Sequence, residues 1–181
     1  MPARMLADMR KIAGIALALM TVGLLAGCVT VTAPPQVIAT GGIATAVPVP
    51  KPKATDVTCP NGKLELTKSN TSYRLDKSCV VVKVPGSSIT ISAGTITTLI
   101  VTGKFDSIGA NSVATLTIDG DNDTVTAPTI GGTSIKGFYN EVSAAVSLGT
   151  LTIDGTSNTV TSPKTGKVTQ TGTDNKVSAG T

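Results

Sequence analysis

Histidine and tryptophan are absent from the 181 residues, and two Phe and two Tyr are the only other aromatic side chains. Without histidine, the usual base that activates a Ser or Cys nucleophile is missing, and so is a common nitrogen ligand of zinc. So few rings offer no obvious platform for a sugar. They also leave no stacking surface for nucleic-acid bases, and no basic stripe compensates, so a nucleic-acid partner is not expected. The core must be built from Val, Ile and Ala, which suits thin β-coils better than a thick sandwich. The longest apolar run, residues 12–25, has 14 residues, short of the roughly 20 that a membrane-spanning helix needs.

What the chain does contain is a beat. Gly86, Gly103, Gly120, Gly137, Gly155 and Gly172 follow one another at intervals of 17, 17, 17, 18 and 17 residues. The clearest copies read Ile118-Asp-Gly-Asp-Asn-Asp-Thr-Val125, Ile135-Lys-Gly-Phe-Tyr-Asn-Glu-Val142 and Ile153-Asp-Gly-Thr-Ser-Asn-Thr-Val160. A fixed period this short marks a solenoid whose coils stack on their neighbours. A β-sandwich also uses many short strands, but gives no reason for one residue type to recur at a constant offset.

Several columns keep the phase. Ile91, Ile108, Val125, Val142, Val160 and Val177 each precede by two residues a small side chain: Ala93, Ala110, Ala127, Ala144, Ser162 and Ala179. Residues two apart on a strand share a face, so both columns point into one interior. A second inward set is Ile96, Val113 and Ile130; a third is Val84, Val101, Ile118, Ile135 and Ile153. The expected fold is therefore all-β: a single-stranded parallel β-solenoid of about seven 17-residue coils, each with three short strands separated by corners.

Three domain assignments follow. Residues 1–27 read as a lipoprotein signal peptide, with Arg4, Arg10 and Lys11 ahead of the apolar run and Leu25-Ala26-Gly27-Cys28 resembling the bacterial lipobox. In lipoproteins with that motif the cysteine carries a thioether-linked diacylglyceryl group, so Cys28 is the expected lipidation site. Residues 28–54, with prolines at 34, 35, 48, 50 and 52, read as a tether. Residues 55–181 are the solenoid. Removal of the leader leaves 12 basic against 10 acidic residues, a net charge of +2. Cys59 and Cys79 are the remaining cysteines, and an exported location permits a disulfide. It would staple an N-terminal cap, with a degenerate coil near Ser69 that holds Tyr73.

Chemistry must then rest on carboxylates. Asp119 and Asp154 hold equivalent positions two coils apart, about 9.6 Å at strand spacing, near the separation in inverting glycosidases. Lys136 stands between them, which reads as alternating surface charge. Asp119, Asp121 and Asp123 crowd one corner and invite a calcium reading, but the further Gly and distant Glu of an EF-hand are missing, and no metal or cofactor is expected. Asp123 also belongs to a column with Asp106, Asn140, Asn158 and Asn175, expected to form a side-chain ladder. Thr90, Ser107, Thr124 and Thr159 form an outward row, interrupted by Glu141 and Lys176, as β-branched surface strands often do.

Lipobox, Pro-rich tether, cysteine pair and the [Ile/Val]-x-Gly-x-x-[Asn/Asp]-x-[Val/Ile] repeat together resemble the actinobacterial secreted proteins called domain of unknown function 3060, over about residues 56–181. The resemblance implies a β-solenoid at the cell envelope and no established activity. The expected function is a membrane-anchored envelope lipoprotein, at the extracytoplasmic face, whose non-catalytic solenoid is an interaction or structural module. The alternative is a carbohydrate-binding or carbohydrate-active β-helix on cell-wall polysaccharide. A second copy or another envelope protein is the expected protein partner, through the coil that holds Val177.

Overall fold

A computed structural model describes residues 53–179. The expected signal peptide, Cys28 and all of the expected tether but Lys53 and Ala54 lie outside the described residues. Among the described residues no helix is long and apolar enough to cross a membrane.

The strands are β1 (Thr55–Val57), β2 (Lys63–Glu65), β3 (Ser72–Leu75), β4 (Cys79–Val84), β5 (Thr90–Val101), β6 (Ser107–Ile118), β7 (Thr124–Phe138), β8 (Glu141–Leu148), β9 (Leu151–Thr156), β10 (Thr159–Ser162), β11 (Val168–Thr173) and β12 (Lys176–Ala179). They form one 12-stranded sheet wound into about seven turns. The pairing is parallel and joins each strand to its equivalent one coil away, as Ile91 with Ile108 and Val101 with Ile118, or Ile108 with Val125. A lone coil cannot cover its own apolar row, so the stack is what buries it.

The inward columns are where the spacing puts them. Ile91, Ile108, Val125, Val142 and Val160 are buried, as are Ile96, Val113, Ile130 and the column from Val84 to Ile153. The small column is buried at Ala110, Ala127, Ala144 and Ser162. A further inward column, not picked out by the repeat, comprises Val82, Leu99, Leu116, Thr133 and Leu151. Thr133 fills it with a hydroxyl that finds no partner.

The winding differs from the expected three short strands in one respect. In β5 and β6 a single run of 12 residues covers most of the coil, because the corners after the small column bend the strand gently and the ladder carries on past them. The one 18-residue interval is absorbed as a bulge: Ala127 pairs with Ala144, but Thr129 pairs with Ser147. The extra residue pushes Val146 out to solvent, as an unpaired bulge residue does.

At the N-terminal end Cys59 and Cys79 are disulfide-bonded, with Cα atoms 5.7 Å apart. The segment is more regular than a cap. β1 pairs with β3 and β2 with β4, both parallel, so residues 55–65 form a short first coil in the solenoid's own register. Cys79 continues the buried column of Ile96.

Candidate functional site

Each coil makes one tight corner, at the recurring glycine, and all six corners lie on one edge of the solenoid. Glycine is demanded there by close approach. A Cβ on Gly103, Gly120, Gly137, Gly155 or Gly172 would land on the carbonyl oxygen of the glycine one coil before it. A second glycine column, Gly131, Gly149 and Gly166, stacks in the same way on another side; it escaped the sequence reading because its first member is Ala114.

Two residues after each corner glycine the backbone turns left-handed: Ser88, Phe105, Asn122, Tyr139, Ser157 and Asp174 all have φ between 56° and 60°. Ser, Asn and Asp tolerate that region because their short side chains bond locally, but bulky side chains are outliers there. Phe105 and Tyr139 are the outliers, and both are exposed, at 63% and 64%. Phe138 beside Tyr139 is 51% exposed. Three of the chain's four aromatic rings therefore share one edge, on corners two coils apart with the Asn122 corner between them. The Phe105 N–H donates to the Asp121 carbonyl (3.1 Å), and the Asn122 N–H to the Phe138 carbonyl (2.9 Å). An aromatic surface is present after all, assembled from corners that are 34 residues apart in sequence.

Between the rings lies an ion pair. Lys104 Nζ is 2.8 Å from Asp121 Oδ2, and Asp121 Oδ1 accepts the Phe138 N–H at 3.1 Å. The hydrogen bond from Lys104 holds the Asp121 carboxyl below its ordinary pKa, and the same bond raises Lys104.

Three residues after each glycine, the chain points inward again. Ile89, Asp106, Asp123, Asn140 and Asn158 are buried in one column, and Asn175 is half-buried. The expected ladder between side chains is mostly something else. Each Oδ1 reaches back one coil to accept a backbone N–H: Asp106 from Ile89 (2.8 Å), Asp123 from Asp106 (2.9 Å), Asn140 from Asp123 (3.0 Å), Asn158 from Asn140 (2.9 Å) and Asn175 from Asn158 (3.0 Å). The amide nitrogens donate to glycine carbonyls, Asn140 to Gly120, Asn158 to Gly137 and Asn175 to Gly155. Only Asn158 to Asn175 joins two side chains (3.0 Å). In Asp106 and Asp123 the corresponding oxygen, Oδ2, is buried without a partner. Asp123 Oδ2 and the Gly103 carbonyl press on the same point above Gly120, as Asn158 Nδ2 and the Gly137 carbonyl do above Gly155. Burial pushes Asp106 up to about 6 and Asp123 up to about 7, since the ionised form loses its water in this corner.

The carboxylates singled out from sequence are thus dispersed. Asp119 is exposed, Asp121 is held by Lys104, and Asp123 faces the interior; among the described residues no three His, Cys, Asp or Glu gather to hold a metal. Asp154 pairs in register with Lys136, is exposed, and accepts the Thr171 hydroxyl at 2.9 Å. Asp119 follows Ile118, the partner of Ile135, so the Asp/Lys/Asp column exists, on an open strand face.

A family model described as "Protein of unknown function (DUF3060)" matches residues 135–181. The chain resembles that family. The match begins at Ile135 and takes in β8 to β12, so it covers a narrower stretch than the repeat itself, whose coils run unbroken upstream to Thr55. No curated protein and no solved structure matches the chain.

Proposed function

We propose that this protein is a lipid-anchored module of the bacterial cell envelope, held at the extracytoplasmic face through Cys28, and that its solenoid works by binding rather than by catalysis. The observation that carries the binding half is the dispersal of the carboxylates. Catalysis by a carboxylate pair needs both groups aimed at one substrate position in a site that limits water, whereas Asp119 and Asp154 stand on an open face and Asp106 and Asp123 are sealed inside. A rigid rod with one chemically distinct edge is a suitable scaffold for presenting contacts at a set distance from a membrane.

The anchor half rests on Leu25-Ala26-Gly27-Cys28. Two acyl chains suffice for stable membrane attachment where one does not. Cys28→Ala should therefore move the protein from the membrane to the soluble fraction on cell fractionation, and unchanged partitioning would remove the anchor. Association with a second copy or another envelope protein belongs to the same reading. Its surface is the coil of β11 and β12, where β11 is exposed along its whole length and Val177 is only partly covered. Light scattering should show wild type heavier than Val177→Lys; equal masses would dismiss that surface.

A further inference from the structure

The geometry points to the edge formed by Phe105, Phe138 and Tyr139, with Lys104, Asp121 and Asn122 between them, as a binding site for a linear, uncharged glycan strand. This inference rests on the reading of the solenoid as a non-catalytic module and names what one of its surfaces holds.

The first support is conformational. The left-handed corner position carries Ser, Asn or Asp in the other coils, but Phe105 and Tyr139 occupy it at φ 60° and 59°. Bulky side chains are strained in that region unless the surroundings compensate. Here neither ring is buried in exchange. Nothing inside the fold asks for aromatics at these corners, so their use lies outside it.

The second support is the shape of the surface. Corners recur at about 4.8 Å along the stack, which sets Phe105 and Tyr139 about 9.6 Å apart on a straight line. A repeating ligand meets a repeating edge in register, and pyranose rings offer apolar C–H faces to aromatic rings with hydroxyls around the rim. The intervening corner supplies matching donors and acceptors in the Asn122 amide and the Lys104–Asp121 pair. Because that pair is internally neutralised, Lys104 is not the free cation that a phosphate backbone or a charged glycan would require. The three rings expose on the order of 300 Å², an area that a short run of sugar units covers.

The deciding experiment uses the full chain in polyoxyethylene detergent, titrated calorimetrically with cellohexaose, chitohexaose and mannohexaose, and with single-stranded oligothymidine as a second arm. Phe105→Asn and Tyr139→Asn are the variants, because Asn is at ease in the left-handed conformation and neither should harm the fold. The expected result is saturable binding of at least one hexasaccharide, none of the oligonucleotide, and about tenfold or greater weakening in each variant with an unchanged or higher thermal midpoint. Binding of none of the three glycans overturns the site, as does binding that ignores both substitutions, or a lowered midpoint, which would make the rings structural. Stronger binding of oligothymidine overturns it as well. Loss of self-association in the variants on light scattering, without glycan binding, would reassign the edge to protein contact and leave the non-catalytic reading standing. Hydrolysis of a hexasaccharide during the titration would instead retire that reading.

Discussion

The polar column inside the corners divides into two halves with one backbone geometry. In Asn140, Asn158 and Asn175 the side chain accepts an N–H from the preceding coil and donates to a glycine carbonyl, so both ends are satisfied. In Asp106 and Asp123 the accepting end is in place, but the other oxygen faces a carbonyl with nothing to donate. A proton on Oδ2 would restore the missing donor and let the carboxyl behave as the amide does. The coils thus agree in shape because the backbone ladder dictates shape, while a single atom decides whether a corner is indifferent to pH.

The comparison presumes that corner geometry itself is rigid, and the most forceful way to break it is to thicken a glycine. In Gly120→Ala the new methyl meets the Gly103 carbonyl and the Asp123 side chain. Neither backbone can yield without parting two coils, so a loss of about 3 kcal/mol or more is expected in chemical denaturation. A loss under about 0.5 kcal/mol would mean that the corners are soft and that both halves of the column can rearrange.

Exchanging the halves gives the next effect. Asn140→Asp places a third carboxylate beside Asp123 and removes the donor to Gly120. At pH 8 it should destabilise by about 2 kcal/mol, and less at pH 5, where the carboxyl can bind a proton.

The reverse exchange is gentler. Asp106 and Asp123 have folded pKa values of about 6 and about 7, above the ordinary 3.8. Their contribution to folding is therefore greatest below about pH 4 and is lost as pH rises through 6 and 7. Asp123→Asn should stabilise the protein at pH 8 by about 1–2 kcal/mol, and should flatten the fall in thermal midpoint between pH 5 and 8. An unchanged pH profile in the Asp106→Asn, Asp123→Asn double variant would show that the two halves are equivalent after all.

Most of the fold is legible along the chain, because a solenoid repeats its environment at a constant interval and each inward position must be apolar every time it recurs. Ile91 and Ile108, or Ile118 and Ile135, announce their pairing by phase alone, and the corner glycines announce theirs. The column of Leu99, Leu116 and Thr133 is harder to read, since it lies midway between corners and Thr133 breaks its apolar character. The aromatic edge is hard to read for a different reason. Phe105 and Tyr139 share the position two after a corner glycine, but Asn122 separates them and Ser or Asp fills that position in the other coils, so the column does not announce itself as aromatic.

The sequence by itself determines the coil length, the inward faces and the parallel stacking, because these follow from period and from which side chains avoid water. The tertiary structure alone decides how the Asp and Asn column is bonded, which of its carboxyls want a proton, where the eighteenth residue of the long interval is expelled, and that three scattered rings meet on one edge. Those outcomes depend on a carbonyl of the neighbouring coil and on a left-handed turn, and neither is written in the identity of any single residue.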